Sequence, residues 1–68
     1  MGSQDKLGKN IKRAREKLDL TQAYVAKKAG IHVNYYARIE RGEENPSFEV
    51  LERVASALRV KSSEIFPF

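Results

Sequence analysis

"TQAYVAKKAGIHVNYYARIERG", residues 21–42, decides how this 68-residue chain is to be read. Thr21 is a good helix cap, because its hydroxyl can accept from the orphan amides of a first turn. It opens a helix at about 22–28 whose buried side is Val25, Ala26 and Ala29; Ala26 is small enough for another helix to approach closely. Gly30 is the expected stop, free to turn left-handed at little cost, and Ile31 can plug the corner. A further helix, about 33–41, follows at once, and Gly42 ends it. On that helix Val33, Tyr36 and Ile39 recur at every third position, as a core stripe does. Asn34, Tyr35, Arg38 and Arg41 lie between them.

Working outward, Leu7, Ile11, Ala14 and Leu18 follow the i, i+4, i+7, i+11 pattern of an amphipathic helix, placed at about 5–18. Its polar face carries Lys9, Lys12, Arg13, Glu16 and Lys17. Beyond residue 42, "EENP" is a loop: Pro46 forbids continuation of the helix before it, and Ser47 is a good cap for the next, about 48–58. Val50, Leu51, Val54, Ala55 and Leu58 form that helix's apolar stripe, and a short turn at about 62–66 would return Ile65 and Phe66 to the core. No strand-like alternation and no internal repeat is seen. The expectation is an all-α domain of five short helices over residues 7–68. Residues 1–6 are expected to precede it as a flexible N-terminal segment, with Met1-Gly2-Ser3 a candidate cloning remnant.

Hydrophobic content of 41% with 32% charged residues fits a folded domain rather than a disordered tail. Chains of this size bury only about 60% of their unfolded surface, so stability is marginal without a staple or partner. There is no cysteine and a single histidine, which leaves neither a disulfide nor a zinc site, and no cofactor is expected. No apolar run approaches the roughly 18 residues of a membrane span, no signal peptide opens the chain, and Lys6 stands where myristoylation wants Ser or Thr. The expected setting is cytoplasmic, with no membrane partner. The net charge of +4 is unevenly placed: residues 1–41 hold ten Lys/Arg against four Asp/Glu, and residues 42–68 hold three against five. Such asymmetry suggests a basic face that meets a polyanion. Lys6, Lys9, Lys12 and Lys17 are equally read as a plain solvated face.

Two short helices at a tight Gly-containing corner make a helix-turn-helix, here at about 22–41. Around it stand "TQ" at 21–22, "VA" at 25–26, "AG" at 29–30, "RIERG" at 38–42, "NPS" at 45–47 and "SSEIF" at 62–66. In these landmarks residues 7–66 resemble the phage-repressor/Cro-type (XRE) helix-turn-helix family. The resemblance implies a lambda-repressor-like domain that binds double-stranded DNA with its second helix in the major groove. Carried onto this chain, it implies base contacts from His32, Val33, Asn34 and Arg38. Asn34 suits adenine, Arg38 suits guanine or a phosphate, and Val33 is either a thymine-methyl contact or a partly exposed apolar residue. Gln22, Tyr35 and Arg41 are the implied phosphate contacts, Gln22 because it starts a helix whose amides favour an anion. Tyr36 reads as core. Arg15 and Glu40 match a pair that in the family locks the reading helix to the scaffold.

The chain also departs from the family. His32 replaces the usual Ser or Thr cap, so it is expected to cap less well and could point toward DNA, where protonation near pH 6 would raise affinity. Glu43 and Glu44 occupy a loop that is often basic, so backbone contact there should be poorer. Arg59 stands where Gly or Asn is frequent, implying strain or a different turn. The implied function is a sequence-specific transcription regulator, a repressor or controller acting as a homodimer on an inverted-repeat operator. Phe48, Ile65, Phe66 and Phe68 are candidates for the dimer surface, with Phe66 equally suited to completing the core. The alternative is a protein-interaction module of the same fold, such as an antitoxin or co-regulator. An enzyme is not expected: there is no Gly-rich phosphate loop and no evident pair of carboxylates in a cleft. No ligand-sensing domain, and hence no small-molecule ligand, is expected.

Overall fold

The four α-helices among the described residues end in the same backbone lock. The computed structural model describes residues 2–67. It contains α1 (Ser3–Lys17), α2 (Gln22–Ala29), α3 (Val33–Glu40) and α4 (Phe48–Ala57), followed by a 3-10 turn at Ser62–Glu64. The expected fifth helix at 62–66 is thus a single 3-10 turn, and no strand occurs among the described residues. After α2, Gly30 takes φ 73°, its amide donates to the Lys27 carbonyl, and the Ile31 amide reaches back to Ala26. This is the Schellman arrangement, which satisfies the orphan carbonyls of a last turn. α3 closes identically through Gly42 and Glu43, α1 through Asp19 and Leu20, and α4 through Arg59 and Val60. The left-handed residue is therefore not glycine at two of four ends: Asp19 sits at φ 57° and Arg59 at φ 61°. Asp tolerates that region; a long side chain there costs about 1–2 kcal/mol. Arg59 keeps the ordinary turn and carries strain in it.

The helix starts are set by side-chain caps. Thr21 Oγ1 accepts from the Tyr24 amide at 3.0 Å and Ser47 Oγ from the Val50 amide at 3.2 Å. α1 begins two residues earlier than its periodicity suggested, so Ser3 to Lys6, expected to lie in a flexible lead-in, are helical instead. The reason is tertiary as well as local. The Asp5 carboxylate accepts from the Gly2 amide at 3.4 Å, and Asp5 packs so closely on Gly42 that a Cβ there would lie 3.1 Å from Asp5 Cα.

The core is built from Leu7 and Ile11 of α1, Val25, Ala26 and Ala29 of α2, Tyr36 and Ile39 of α3, and Leu51, Val54 and Ala55 of α4, closed by Leu58 and Ile65. α1 packs chiefly on α3, and α2 on both α3 and α4. Leu18, the last member of the α1 stripe, lies past the helix end and is exposed. Ile65 is 1% exposed, so it belongs to the core and not to an outer surface: the 3-10 turn folds it inward, where its carbonyl accepts from Asn10 Nδ2 at 3.0 Å. No helix among the described residues is long and apolar enough to cross a membrane.

Gly8 is the unexpected structural residue. It lies mid-helix, where glycine costs about 0.5–1 kcal/mol relative to alanine, yet it is buried against the end of α3. A Cβ there would come within 2.6 Å of the Ile39 carbonyl oxygen and overlap that of Glu40 as well. Gly8→Ala should therefore lower the melting temperature despite its better helix propensity, because backbone oxygens cannot step aside and overpacking costs about 1–3 kcal/mol. Arg59→Gly should raise stability by about 0.5–1 kcal/mol in urea unfolding, as release of strain exceeds the added freedom of the unfolded chain.

Candidate nucleic-acid interface

α3 divides lengthwise. Tyr36, Ile39 and Glu40 are buried, whereas Asn34, Arg38 and Arg41 follow one another at i, i+4 and i+7 and are exposed or half-exposed. Val33, which fits the core stripe by spacing, is 37% exposed beside Asn34 and stands outside the core. Tyr35 is half-buried and packs its ring on the core's edge. The N-terminal half of the second helix thus presents Val33 and Asn34 outward, with Arg38 one turn further on.

His32 caps α3 with its ring. Nδ1 accepts from the Asn34 amide at 3.0 Å, so the imidazole takes the place of the usual hydroxyl. This bond needs a bare Nδ1, and the ring's proton then sits on Nε2. The histidine that was expected to cap poorly does cap the helix.

The buried side of α3 is held by one carboxylate. Glu40 is 7% exposed; its Oε2 accepts from Arg15 Nε at 2.7 Å, and its Oε1 accepts from Arg15 NH2 at 3.1 Å and from Gln22 Nε2 at 2.9 Å. The remaining arm of Arg15 donates to the Leu20 carbonyl at 2.9 Å. One acidic group therefore joins α1, the α1–α2 connection, the first turn of α2 and the end of α3. Burial by itself pushes the Glu40 carboxyl up. The hydrogen bonds from Arg15 and Gln22, the guanidinium charge and the nearby Tyr36 hydroxyl outweigh burial and hold it below its ordinary value. The bond to Glu40 likewise raises the Arg15 pKa. The Tyr36 hydroxyl is buried close to this cluster but lacks a hydrogen bond of good geometry, and burial raises its pKa strongly. Gln22, expected to serve a phosphate, commits part of its amide to Glu40; its role in the scaffold had no signal in the local sequence.

The two outer arginines are paired with the loop that follows. Arg38 Nε donates to Glu44 Oε2 at 2.9 Å, and Arg41 donates through Nε and NH2 to the two oxygens of Glu43 at 3.0 and 3.2 Å. That fork raises the Arg41 pKa and lowers that of Glu43. Of the apolar candidates, Phe48 is 58% exposed and its ring lies 5.8 Å from that of half-buried Phe66. Phe68 falls outside the described residues.

A helix-turn-helix family model (HTH_3) matches residues 11–65. The chain belongs to that helix-turn-helix family. The match takes in both helices of the α2–α3 unit and the scaffold around it. Among relatives of this helix-turn-helix domain, the immunity repressor protein of Bacillus phage phi105 is 44% identical over 59 residues, covering 87% of this chain and 41% of the repressor. The chain thus spans about two fifths of the phage protein's length. The control protein C.MunI of a Mycoplasma species is 36% identical over 62 residues, covering 90% of this chain and 84% of its own. In three dimensions the restriction-modification controller protein C.AhdI from Aeromonas hydrophila matches with a TM-score of 0.90 and 28% identity, over 93% of this chain and 96% of that one.

Glu40 makes a pH prediction with a definite sign. Its carboxyl titrates lower in the folded chain than its ordinary value of 4.5, so its stabilisation is complete above that value and is lost as pH falls through the lower folded pKa. Glu40→Gln should flatten the acid limb of the stability–pH profile. Glu40→Ala should cost about 3–5 kcal/mol, because it leaves Arg15 half-buried and unpaired. Urea unfolding at pH 3 to 7 measures both; a wild-type-like acid limb in the Gln variant would refute the assignment.

Proposed function

We propose that this chain is a sequence-specific DNA-binding transcription regulator that occupies an inverted-repeat operator as a homodimer. The observation that carries this reading is the α3 surface: Val33, Asn34 and Arg38 stand outward on the second helix of a helix-turn-helix whose inner side is locked by Glu40. A major groove about 12 Å wide accepts one such helix, and each base pair presents a distinct set of donors and acceptors there. Asn34 has the paired donor and acceptor that adenine N6 and N7 require, and Arg38 the donors for guanine O6 and N7. Val33 can pack on a thymine methyl, and His32 retains its Nε2 proton as a donor at the helix start. Gln22, Tyr35 and Arg41 are assigned to phosphates, Gln22 through the amide hydrogen that Glu40 does not take. The names of relatives, an immunity repressor and controllers of restriction–modification, point to the same class of action.

For the homodimer, Phe48 and Phe66 supply the apolar surface. They border a shallow groove with Leu7, Pro46 and Leu51, on the α4 side of the molecule. Regulation in this reading is occupancy: the dimer covers two half-sites about 34–36 Å apart and excludes whatever else must bind there.

Selection from a random duplex library is the direct test. An inverted repeat should be enriched. Gln22 and Tyr35 are neutral, so the salt dependence comes from Arg41 of each protomer and would lower affinity about tenfold between 50 and 200 mM salt. Arg38→Ala should relax preference at one position of each half-site, by about 1–3 kcal/mol of discrimination. Recovery of no motif by a folded chain would defeat the proposal.

A further inference from the structure

The two arginine–glutamate pairs beyond the reading helix are built differently, and the difference bears on recognition. Glu43 takes both donors along one edge of Arg41, Nε and NH2. Glu44 takes only Nε of Arg38. A guanidinium bonded through Nε alone is fixed in rotation about its stem while both terminal nitrogens keep their hydrogens, and those two nitrogens form the fork that fits guanine O6 and N7.

The anchor itself is held firmly. The Glu43 amide donates to the Arg38 carbonyl at 2.9 Å as the last bond of the α3 lock, so the loop carrying Glu44 starts from the very residue that Glu44 engages. Two residues on, Pro46 is buried, and Ser47 caps α4. Glu44 is thus suspended between two fixed points, and its side chain is 32% exposed against 42% for that of Arg38. An exposed pair of this kind contributes little to folding. Its consequence is the direction and rotational freedom of the guanidinium.

The geometry points to Glu44 as a specificity-determining positioning residue, which orients Arg38 so that its terminal fork reads guanine. This rests on the proposal that Arg38 contacts a base. Without Glu44, the arginine can swing to the nearest phosphate, where it adds affinity and reads nothing. The carboxylate has a second effect of the same sign: its charge repels phosphates and lowers affinity for unrelated DNA.

The test uses the duplex enriched by the wild-type chain, the same duplex with the Arg38-dependent base pair exchanged, and an unrelated duplex, at one salt concentration. Wild type, Arg38→Ala, Glu44→Ala and Glu44→Gln are compared, with far-UV circular dichroism and melting to verify folding. Glu44→Ala should lose about tenfold of its discrimination at the Arg38-dependent position, keep its preferences elsewhere, and bind the unrelated duplex several-fold more tightly. Glu44→Gln keeps an oxygen for Nε and loses the charge, so it should retain most of the discrimination while also binding the unrelated duplex more tightly. If both Glu44 variants gain affinity equally on all three duplexes with discrimination intact, Glu44 is only a repelling charge and the inference is overturned. If Arg38→Ala itself keeps every preference, base reading by Arg38 fails and the inference falls with it.

Discussion

The Glu40 carboxylate is the point on which the rest of the structure depends. Five short elements with little area to bury leave the position of α3 weakly determined by apolar contact alone. Arg15 and Gln22 converge on Glu40 from two other helices, and Arg15 continues to the Leu20 carbonyl in the connection between them. Directional bonds from fixed donors tie the rotation and depth of α3 to α1 and α2 in a way that apolar packing, which is non-directional, does not. Gly8 completes the arrangement from the other side, letting the α1 backbone come up against the carbonyls of Ile39 and Glu40. In the proposed reading, where α3 presents side chains to base edges, this fixation matters because a small displacement of the helix axis would move every contact at once.

The same short helix is polar on two sides for opposite reasons. Inward, a charge is kept because both of its oxygens find donors in a place with little water, which holds the Glu40 carboxyl ionised. Outward, the charges of Arg38 and Arg41 are met by Glu43 and Glu44, side chains in contact with solvent. Bonds in that setting are weak, and the Arg41–Glu43 pair can be exchanged for the contact with a polyanion that the proposed function assigns to Arg41. The acidic loop, which looks unfavourable for the proposed approach to phosphate, makes physical sense as the counterweight of the arginines it follows.

How much of this was legible in the chain depended on whether the physics was local. Thr21, Ser47, Gly30, Gly42 and Pro46 announced where helices begin and stop, because capping and turn chemistry act within a few residues. The assignment of Tyr36 and Ile39 to the core and of Asn34 and Arg38 to the surface followed from period 3.6. Val33 fitted the core stripe by spacing and was nonetheless left outside, since it lies in the first turn, ahead of the region that α1 and α2 cover. Ile65 was offered both to the core and to an outer surface, and a turn whose direction depends on Asn10 in α1 folds it into the core. The role of Gly8 had no signal at all in its own helix.

The sequence by itself determined the all-helical class, the helix-turn-helix corner, the residues offered on its second helix and the Arg15–Glu40 pairing implied by family resemblance. Caps, glycine stops and apolar periodicity are properties of neighbouring residues, and they survive without knowledge of the fold. Tertiary structure decided the partners that lie far apart in the chain: Gln22 with Glu40, Asp5 with Gly42, Phe48 with Phe66. It also decided the bond geometry by which Glu44 holds Arg38 through one nitrogen while Glu43 closes on Arg41 through two. Those choices turn on distances of a few tenths of an ångström and on which donor faces which acceptor, and no pattern of residue types encodes them until the helices have been brought together.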